Sequence, residues 1–256
     1  TSYATRGVPM VPFFIFYSMF GFQRVGDLIW AAGDARARGF LLGATAGRTT
    51  LEGEGLQHTD GHSQLLASTV PNCRAYDPAF AWETALIIKD GLARMYPAST
   101  AGDPAGGEDV FYYLTLYNEN YEMPPAPEAE GGIEQLTEWV TRGLYRSHAA
   151  PEATHRGSVL YSGTGWSAAV EAQRILAEDY DVGVDRWSAT SYNELRREAL
   201  AVERWNRLHP ESPERTPLIT ELLSEGEGPV LAVSDFLSPW ADQVVRWVPR
   251  PFTVLG

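Results

Sequence analysis

The sequence of 256 residues contains one cysteine, Cys73, so no intrachain disulfide can form. An unpaired thiol fits a reducing compartment, and we expect a cytoplasmic protein. Cys73 lies between Pro71-Asn72 and Ala75-Tyr76, with no histidine or second cysteine at a metal-ligand spacing. Because it lacks the neighbours that a metal-bound thiol needs, we expect Cys73 to be a buried structural residue.

Long hydrophobic runs are also absent. The longest apolar stretch, Val8 to Phe22, is interrupted by Pro9 and Pro12. A helical membrane span needs about 20 apolar residues, so this stretch is too short. We expect neither a membrane span nor a signal peptide in this sequence.

Basic residues are scarce, because 20 Lys and Arg face 33 Asp and Glu, which gives a formal net charge of −13. A protein that binds duplex nucleic acid needs a basic face to displace the counterions of the phosphates. Anionic membrane surfaces are disfavoured for the same reason. The acidity indicates either a solvated surface or a face that docks a basic partner.

Large apolar side chains are plentiful. Hydrophobic residues make up 44% of the sequence, including 8 Trp, 12 Tyr and 10 Phe, which indicates a folded protein with a substantial core. The length suits one large domain or two ordinary ones. The sequence begins at Thr1 and stops at Gly256 after a strand-like run, so we expect an internal segment of a longer protein.

Apolar runs alternate with segments of helical spacing along the chain, which predicts an α/β fold with parallel sheets flanked by helices. A Pro- and Gly-containing stretch at 148–157 is the best candidate linker. We therefore expect two α/β units, at 1–147 and 158–256. The predicted strands are Pro12–Tyr17, Phe40–Leu42, Val110–Leu116, Ser158–Ser162, Gly183–Ala189 and Val230–Ser234. The predicted helices are Phe22–Arg38, Ala79–Met95, Trp166–Tyr180, Asn193–Leu208 and Pro239–Val248.

The glycine-rich loop Gly47–His62 follows a predicted strand, and ligands bind beyond the carboxyl ends of strands in parallel sheets. It concentrates side chains that can carry chemistry: Arg48, Glu52, Glu54, His58, Asp60 and His62. His58 and His62 are four residues apart, which raises a metal site as one hypothesis. Gly61 disfavours the helix that would align them, and no third ligand lies at a recognised spacing. A catalytic or substrate-binding histidine and loop-ordering hydrogen bonds are the alternatives.

Tyr17 and Phe20 form an aromatic pair three residues apart at the end of a predicted buried strand. Such a pair could offer a ring face to a flat heterocycle, although ordinary core packing is the alternative. Other catalytic patterns are missing. Ser162 lies in Leu160-Tyr161-Ser162-Gly163-Thr164, which is not the nucleophile elbow of a hydrolase, and no phosphate-binding glycine loop is present.

The order of these motifs resembles the homodimeric-type pyruvate dehydrogenase decarboxylating component, a thiamine-diphosphate-dependent family of the transketolase-like superfamily. The resemblance implies a fragment with part of a pyrimidine-binding middle domain, followed by a transketolase C-terminal-like domain. It covers nearly the whole chain. The runs that carry it include Tyr17–Arg24, Trp30–Asp34, Gly47–Leu51, Gly53–His58, Asp60–His62, Asn118–Tyr121 and Glu203–Asn206.

The resemblance also implies roles for particular residues. Phe20 would stack on the aminopyrimidine ring of thiamine diphosphate, and Tyr17 would line the same pocket near the reacting centre. Glu54 and His58 would lie at the active-site mouth, with His58 close to the substrate. Asp60 and His62 would order the loop, and no role is assigned to Asn118 and Asn120.

The implied activity of the parent enzyme is the decarboxylation of pyruvate and reductive acetylation of the lipoyl group of the dihydrolipoyl acetyltransferase core. A homodimer with thiamine diphosphate and Mg²⁺ is expected. The glutamate and the metal-binding motif that the family places upstream are not in residues 1–256, so the isolated segment should be inactive, with the metal ligands elsewhere. Three alternatives remain: another thiamine-dependent transketolase-like enzyme, a non-catalytic scaffold or dimerisation fragment, and a metallohydrolase.

Overall fold

Strands and helices alternate in the computed structural model, which describes residues 10–98 and 106–256. The first residues of the longest apolar stretch, Val8 and Pro9, lie outside this range. The strands are β1 (Phe13–Tyr17), β2 (Gly39–Ala44), β3 (Cys73–Tyr76), β4 (Phe111–Thr115), β5 (Tyr145–His148), β6 (His155–Tyr161), β7 (Val182–Ser188), β8 (Val230–Val233) and β9 (Phe252–Leu255). The helices are α1 (Phe22–Asp34), α2 (Ser63–Ala67), α3 (Ala81–Met95), α4 (Gly132–Arg142), α5 (Gly165–Tyr180), α6 (Tyr192–Leu208), α7 (Leu218–Ser224) and α8 (Pro239–Asp242).

The first sheet has the order β1-β2-β4-β3, and all of its strands are parallel. Strand β4 is buried along its whole length, as its apolar sequence requires. Alternate side chains point to opposite faces of the sheet. Tyr112 and Leu114 therefore pack with one core cluster, which includes Ile87 of α3, whereas Phe111 and Tyr113 pack with another.

The second sheet has the order β5-β7-β6-β8-β9, with β5 antiparallel and the other strands parallel. The predicted α/β class with mostly parallel sheets is confirmed. The chain passes to the second sheet before β5, at Tyr145, whereas the predicted first unit extends to residue 147. Strand β6 begins at His155, inside the predicted linker 148–157.

Several elements differ from their predicted form. Strand β3 and helix α4 were not predicted, and the predicted helix Pro239–Val248 ends early. In that segment the side-chain amide of Gln243 donates to the carbonyl of Trp240, the acceptor that a continuing helix would use. Helix α8 is therefore four residues long, and a 3₁₀ turn follows at Val245–Trp247.

Cys73, the first residue of β3, is 1% exposed, so the predicted buried thiol is confirmed. Burial raises the pKa of its thiol well above the ordinary value, which keeps the sulfur protonated. No helix within 10–98 and 106–256 combines the length and the apolar character that crossing a membrane requires.

The two sheets meet at a buried carboxylate. Asp77 follows β3, and its Oδ1 accepts hydrogen bonds of 2.6 Å from both Thr115 and Tyr117. Its Oδ2 accepts a hydrogen bond of 2.7 Å from Ser162, which follows β6 in the second sheet. Asp77 therefore joins the carboxyl ends of strands from both sheets.

Candidate functional site

The aromatic pair is presented at the carboxyl end of edge strand β1. The strand ends at Tyr17, and a 3₁₀ turn at Ser18–Phe20 reverses the chain before α1. The ring centroids of Tyr17 and Phe20 are 5.4 Å apart with planes inclined by 34°. Both side chains are half-buried rather than enclosed in the core, so part of each remains accessible to solvent.

The glycine-rich loop brings a carboxylate and an imidazole to this pair. The Tyr17 hydroxyl donates a 2.8 Å hydrogen bond to Oε2 of Glu54. Nδ1 of His58 lies 3.4 Å from the same oxygen. The His58 ring centroid is 5.3 Å from that of Tyr17 and 5.9 Å from that of Phe20. Tyr17, Phe20, Glu54 and His58, hereafter the Tyr17 cluster, thus form one contiguous group.

The polar atoms of the Tyr17 cluster differ in exposure. The pKa of the Tyr17 phenol is raised, first by burial and then by the carboxylate of Glu54, so its hydroxyl keeps its proton at neutral pH. Nδ1 of His58 is buried and makes no hydrogen bond to any described residue. The adjacent carboxylate favours a proton on Nδ1, which leaves Nε2 of the neutral ring as an acceptor.

Asp60 lies beneath this cluster and is fully buried. Oδ2 accepts a hydrogen bond from the Ser18 hydroxyl, and Oδ1 accepts one of 2.7 Å from Nε2 of Gln23. The backbone N–H groups of His62 and Ser63 each donate to Oδ1 at 3.0 Å. The Asp60 carboxylate therefore fixes the loop to the start of α1, and both of its oxygens are occupied by these hydrogen bonds.

His62 is exposed, and its backbone rather than its ring makes the contact with Asp60. The described residues contain no group of three or more His, Cys, Asp or Glu side chains that could hold a metal ion. Asn118 and Asn120 are exposed in the segment after β4. These three residues lie outside the Tyr17 cluster.

The second unit holds the beginning of the loop through Asp235, which local sequence patterns did not identify. Its carboxylate accepts hydrogen bonds from the backbone N–H of Arg48 at 2.7 Å and of Thr49 at 3.1 Å. Nε of Arg48 donates to the Asp235 carbonyl at 2.9 Å. Gly47 has φ +88°, and a Cβ there would lie 2.2 Å from Oδ2 of Asp235. Only glycine fits this approach without displacement.

The cluster has the properties that a flat ligand ring requires. The guanidinium of Arg24 lies 4.4 Å from the centroid of the Phe20 ring, so one face of that ring already accepts a planar group. The exposed Arg24 side chain can move aside or share this surface. Phe20 and Tyr17 thus fit the pyrimidine ring of thiamine diphosphate. A divalent metal finds no ligand set among the residues whose positions are described.

Comparison with known proteins gives matches across the chain. Residues 1–124 match the sequence family described as the pyruvate dehydrogenase E1 component middle domain. The chain is 51% identical over 259 residues to the pyruvate dehydrogenase E1 component of Pseudomonas aeruginosa, covering 100% of this chain and 28% of that protein. Identity to the same component is 51% for Mycobacterium tuberculosis and 48% for Escherichia coli, with 26% and 27% of those proteins covered.

Solved structures with the same fold include transketolases. The enzyme from Leishmania mexicana superposes with a TM-score of 0.59 at 16% identity, over 96% of this chain and 30% of that one. A transketolase from Campylobacter jejuni gives a TM-score of 0.60 at 12% identity, with 96% and 31% covered. These likenesses support the fold alone. The chain spans about a quarter of the length of the curated relatives it matches.

Proposed function

Since residues 1–124 match the middle-domain model of the pyruvate dehydrogenase E1 component and the whole chain is about 50% identical to such components, we propose that it belongs to this family. We propose that it contributes the part of a thiamine-diphosphate site that binds the pyrimidine ring and orients the substrate. The observation that carries the proposal is the Tyr17 cluster. In it, two half-buried rings adjoin a carboxylate and an imidazole from a loop 37 residues farther along the chain. Ordinary core packing would enclose the rings and would not place an ionisable pair at their open edge.

The protein's task is to bind, orient and move protons around the cofactor. Bound thiamine diphosphate supplies the electron sink for decarboxylation of a 2-oxo acid. The Phe20 ring offers a stacking face for the pyrimidine, and the Tyr17 hydroxyl lies beside it. The protonated Tyr17 hydroxyl donates a hydrogen bond to Glu54, which fixes the orientation of the phenol. This arrangement holds the reactants in one geometry before reaction.

His58 is the proton-transfer candidate of the proposal. Its Nδ1 faces Glu54, so Nε2 is the nitrogen available to a bound substrate. A neutral ring accepts a proton at Nε2, and a protonated ring donates from it to a developing charge or to the substrate carboxylate. Glu54 is half-exposed, so it can stabilise the protonated ring without the penalty of a buried charge.

For the parent enzyme we propose pyruvate as the substrate and the lipoyl group of an acetyltransferase core as the acceptor, in a cytoplasmic homodimer. The names of the relatives, at about 50% identity over the whole chain, support the substrate. Mg²⁺ would be bound by residues outside this segment. The isolated chain would then be inactive, because it holds only the pyrimidine side of the site.

The test is His58→Ala in the full-length enzyme, with pyruvate turnover as the readout. Loss of an acid–base group should lower turnover by about 10²–10³-fold. His62→Ala is the matched control, because His62 lies four residues away and is exposed outside the cluster. Cofactor affinity measured by calorimetry should change little in either variant. Normal turnover by the His58 variant would remove this residue from the mechanism.

A further inference from the structure

A pocket lies away from the Tyr17 cluster and shares no residue with it. Its volume is about 400 Å³, a size that suits a small molecule. The wall contains Phe80 and Trp82 from the start of α3, together with Trp166 from α5. The basic side chains of His148 and Arg186 also line it.

The apolar part of this pocket combines aromatic rings with the proline-rich segment 124–127 and Val170. Phe80 and Trp82 are nearly parallel, with centroids 5.5 Å apart and an interplanar angle of 19°. The Trp166 ring lies 5.6 Å from Phe80 at an angle of 55°. Rings at these distances and angles contact one another, so they form one continuous aromatic wall of the pocket.

The indole groups in the wall offer hydrogen-bond donors that are not used. Nε1 of Trp82 and Nε1 of Trp166 are both buried, and neither bonds to a residue in the described ranges. An indole N–H can only donate, so its natural partner is an acceptor. A buried donor without a partner costs about 1–3 kcal/mol, and buried tryptophans usually avoid this penalty.

Arg186 adds a positive charge. It is 9% exposed, and its Nε donates to Oε1 of Gln173 at 2.8 Å. Within the parts of the chain that the structure describes, no carboxylate forms an ion pair with its guanidinium. Its chain neighbour Asp185 instead lies 3.8 Å from Nη1 of Arg146.

The other ionisable groups nearby do not neutralise this charge. The buried Glu83 accepts hydrogen bonds from Tyr145 at 2.6 Å and Ser188 at 2.7 Å, as well as from the backbone at the start of α3. The pKa of His148 is lowered by burial and by the charge of Arg186, so its ring is neutral and offers one further N–H donor. A buried cation without a paired anion is unfavourable for folding.

We propose that this pocket binds a small planar anion, an aromatic ring that carries one carboxylate or phosphate group. The ring lies against Trp82 and Trp166, whose N–H groups donate to acceptor atoms of the ligand. The planar guanidinium of Arg186 pairs with its anionic group, a geometry that carboxylate and phosphate both match. A cationic ligand would be repelled by Arg186. The proposal is independent of the thiamine-diphosphate site.

The test uses the purified full-length protein and calorimetric titration with 2-naphthoate, 2-naphthyl phosphate and the uncharged 2-naphthamide. We expect the two anions to bind with one-to-one stoichiometry and the amide to bind at least tenfold more weakly. Arg186→Met should weaken binding of the anions by roughly 10- to 100-fold, the range for a charge-assisted hydrogen bond. The control is Arg146→Met, since Arg146 is an exposed arginine on neighbouring strand β5 and should leave binding unchanged.

A thermal melt separates loss of binding from loss of folding. Without ligand, Arg186→Met should melt at or above the wild-type temperature, because it removes an unpaired buried charge. Trp166→Phe keeps an aromatic ring but removes one donor, and it should bind the anions several-fold more weakly than wild type. The proposal is overturned if neither anion binds, if the amide binds equally well, or if both Arg186→Met and Trp166→Phe bind like wild type.

Discussion

Asp77 is predicted to make the protein less stable as the pH rises from acid to neutral. It is fully buried at the junction of the two sheets, and burial raises its pKa to about 6 despite three hydroxyl donors. The unfolded chain has an ordinary aspartate with a pKa near the model-peptide value of about 3.9. Between these two pH values the folded state binds more protons than the unfolded state. The contribution of Asp77 to the free energy of unfolding is therefore full below about pH 4, and it is lost as the pH rises to about 6.

The size of the effect follows from the difference between the two pKa values. A gap of about two units corresponds to about 3 kcal/mol over the whole transition. Between pH 4.5 and pH 7.5 the expected loss is about 2 kcal/mol, because the unfolded carboxyl is already largely ionised at pH 4.5. Asp77→Asn removes this titration but keeps the shape. Its amide oxygen still accepts from Thr115 and Tyr117, and its NH₂ group donates to a reoriented Ser162 hydroxyl.

The assay is urea unfolding of wild type and Asp77→Asn at pH 4.5 and pH 7.5. The stability of the variant relative to wild type should improve by about 2 kcal/mol between the two pH values. The control is Asp27→Asn, which removes one exposed carboxylate of α1 and should show almost no such change. A constant difference between Asp77→Asn and wild type would refute the reasoning, because it would mean that Asp77 is ionised in the fold at both pH values.

Two further predictions concern the site. Phe20→Ala in the full-length enzyme should raise the concentration of thiamine diphosphate needed for half-saturation by about tenfold, the value of one aromatic stacking contact. The control Tyr180→Ala removes an exposed ring of the second unit and should leave that concentration unchanged. Gly47→Ala should destabilise the chain by about 2 kcal/mol or more in urea unfolding, because φ is +88° and Asp235 occupies the position of the new Cβ. Gly26→Ala, which has nothing within 4 Å of its Cβ, should change stability by less than about 1 kcal/mol.

Local pattern predicted the central part of the fold well. Predicted strand Val110–Leu116 is observed as Phe111–Thr115, and predicted helix Asn193–Leu208 as Tyr192–Leu208. The strand is a continuous apolar run and the helix keeps one period over 17 residues, so the local sequence determines their structure. Strand β3 was missed because its residues, Cys-Arg-Ala-Tyr, do not form an apolar run. Helix α4 was missed because it follows a segment rich in proline and glycine, which indicates a loop.

The candidate site likewise contains residues that the sequence identifies and one, Asp235, that it does not. Tyr17, Phe20, Glu54 and His58 carry recognisable spacing, and the structure brings them together. Their assigned roles remain predictions. Asp235 carries no local signal, because what makes it important is a set of contacts with residues 186 and 187 positions away. A hydrogen-bond partner of this kind is fixed by the packing of two units, and no periodicity in the sequence records that packing.

The loop that carries Glu54 and His58 is held at both ends, and the two anchors belong to different units. Asp60 fixes its end to the start of α1, whereas Asp235 fixes its beginning to the second sheet. Leu237 of the second unit also donates to the Gly61 carbonyl at 3.0 Å, beside the Asp60 anchor. The Asp235 anchor uses its carboxylate on backbone N–H groups, which need no side-chain ordering, whereas Asp60 reaches α1 through the side chain of Gln23. The position of His58 relative to Phe20 is therefore a property of both units together. A first unit produced without the second would keep the aromatic pair at the end of β1, but it would lose the restraint that brings the imidazole to it.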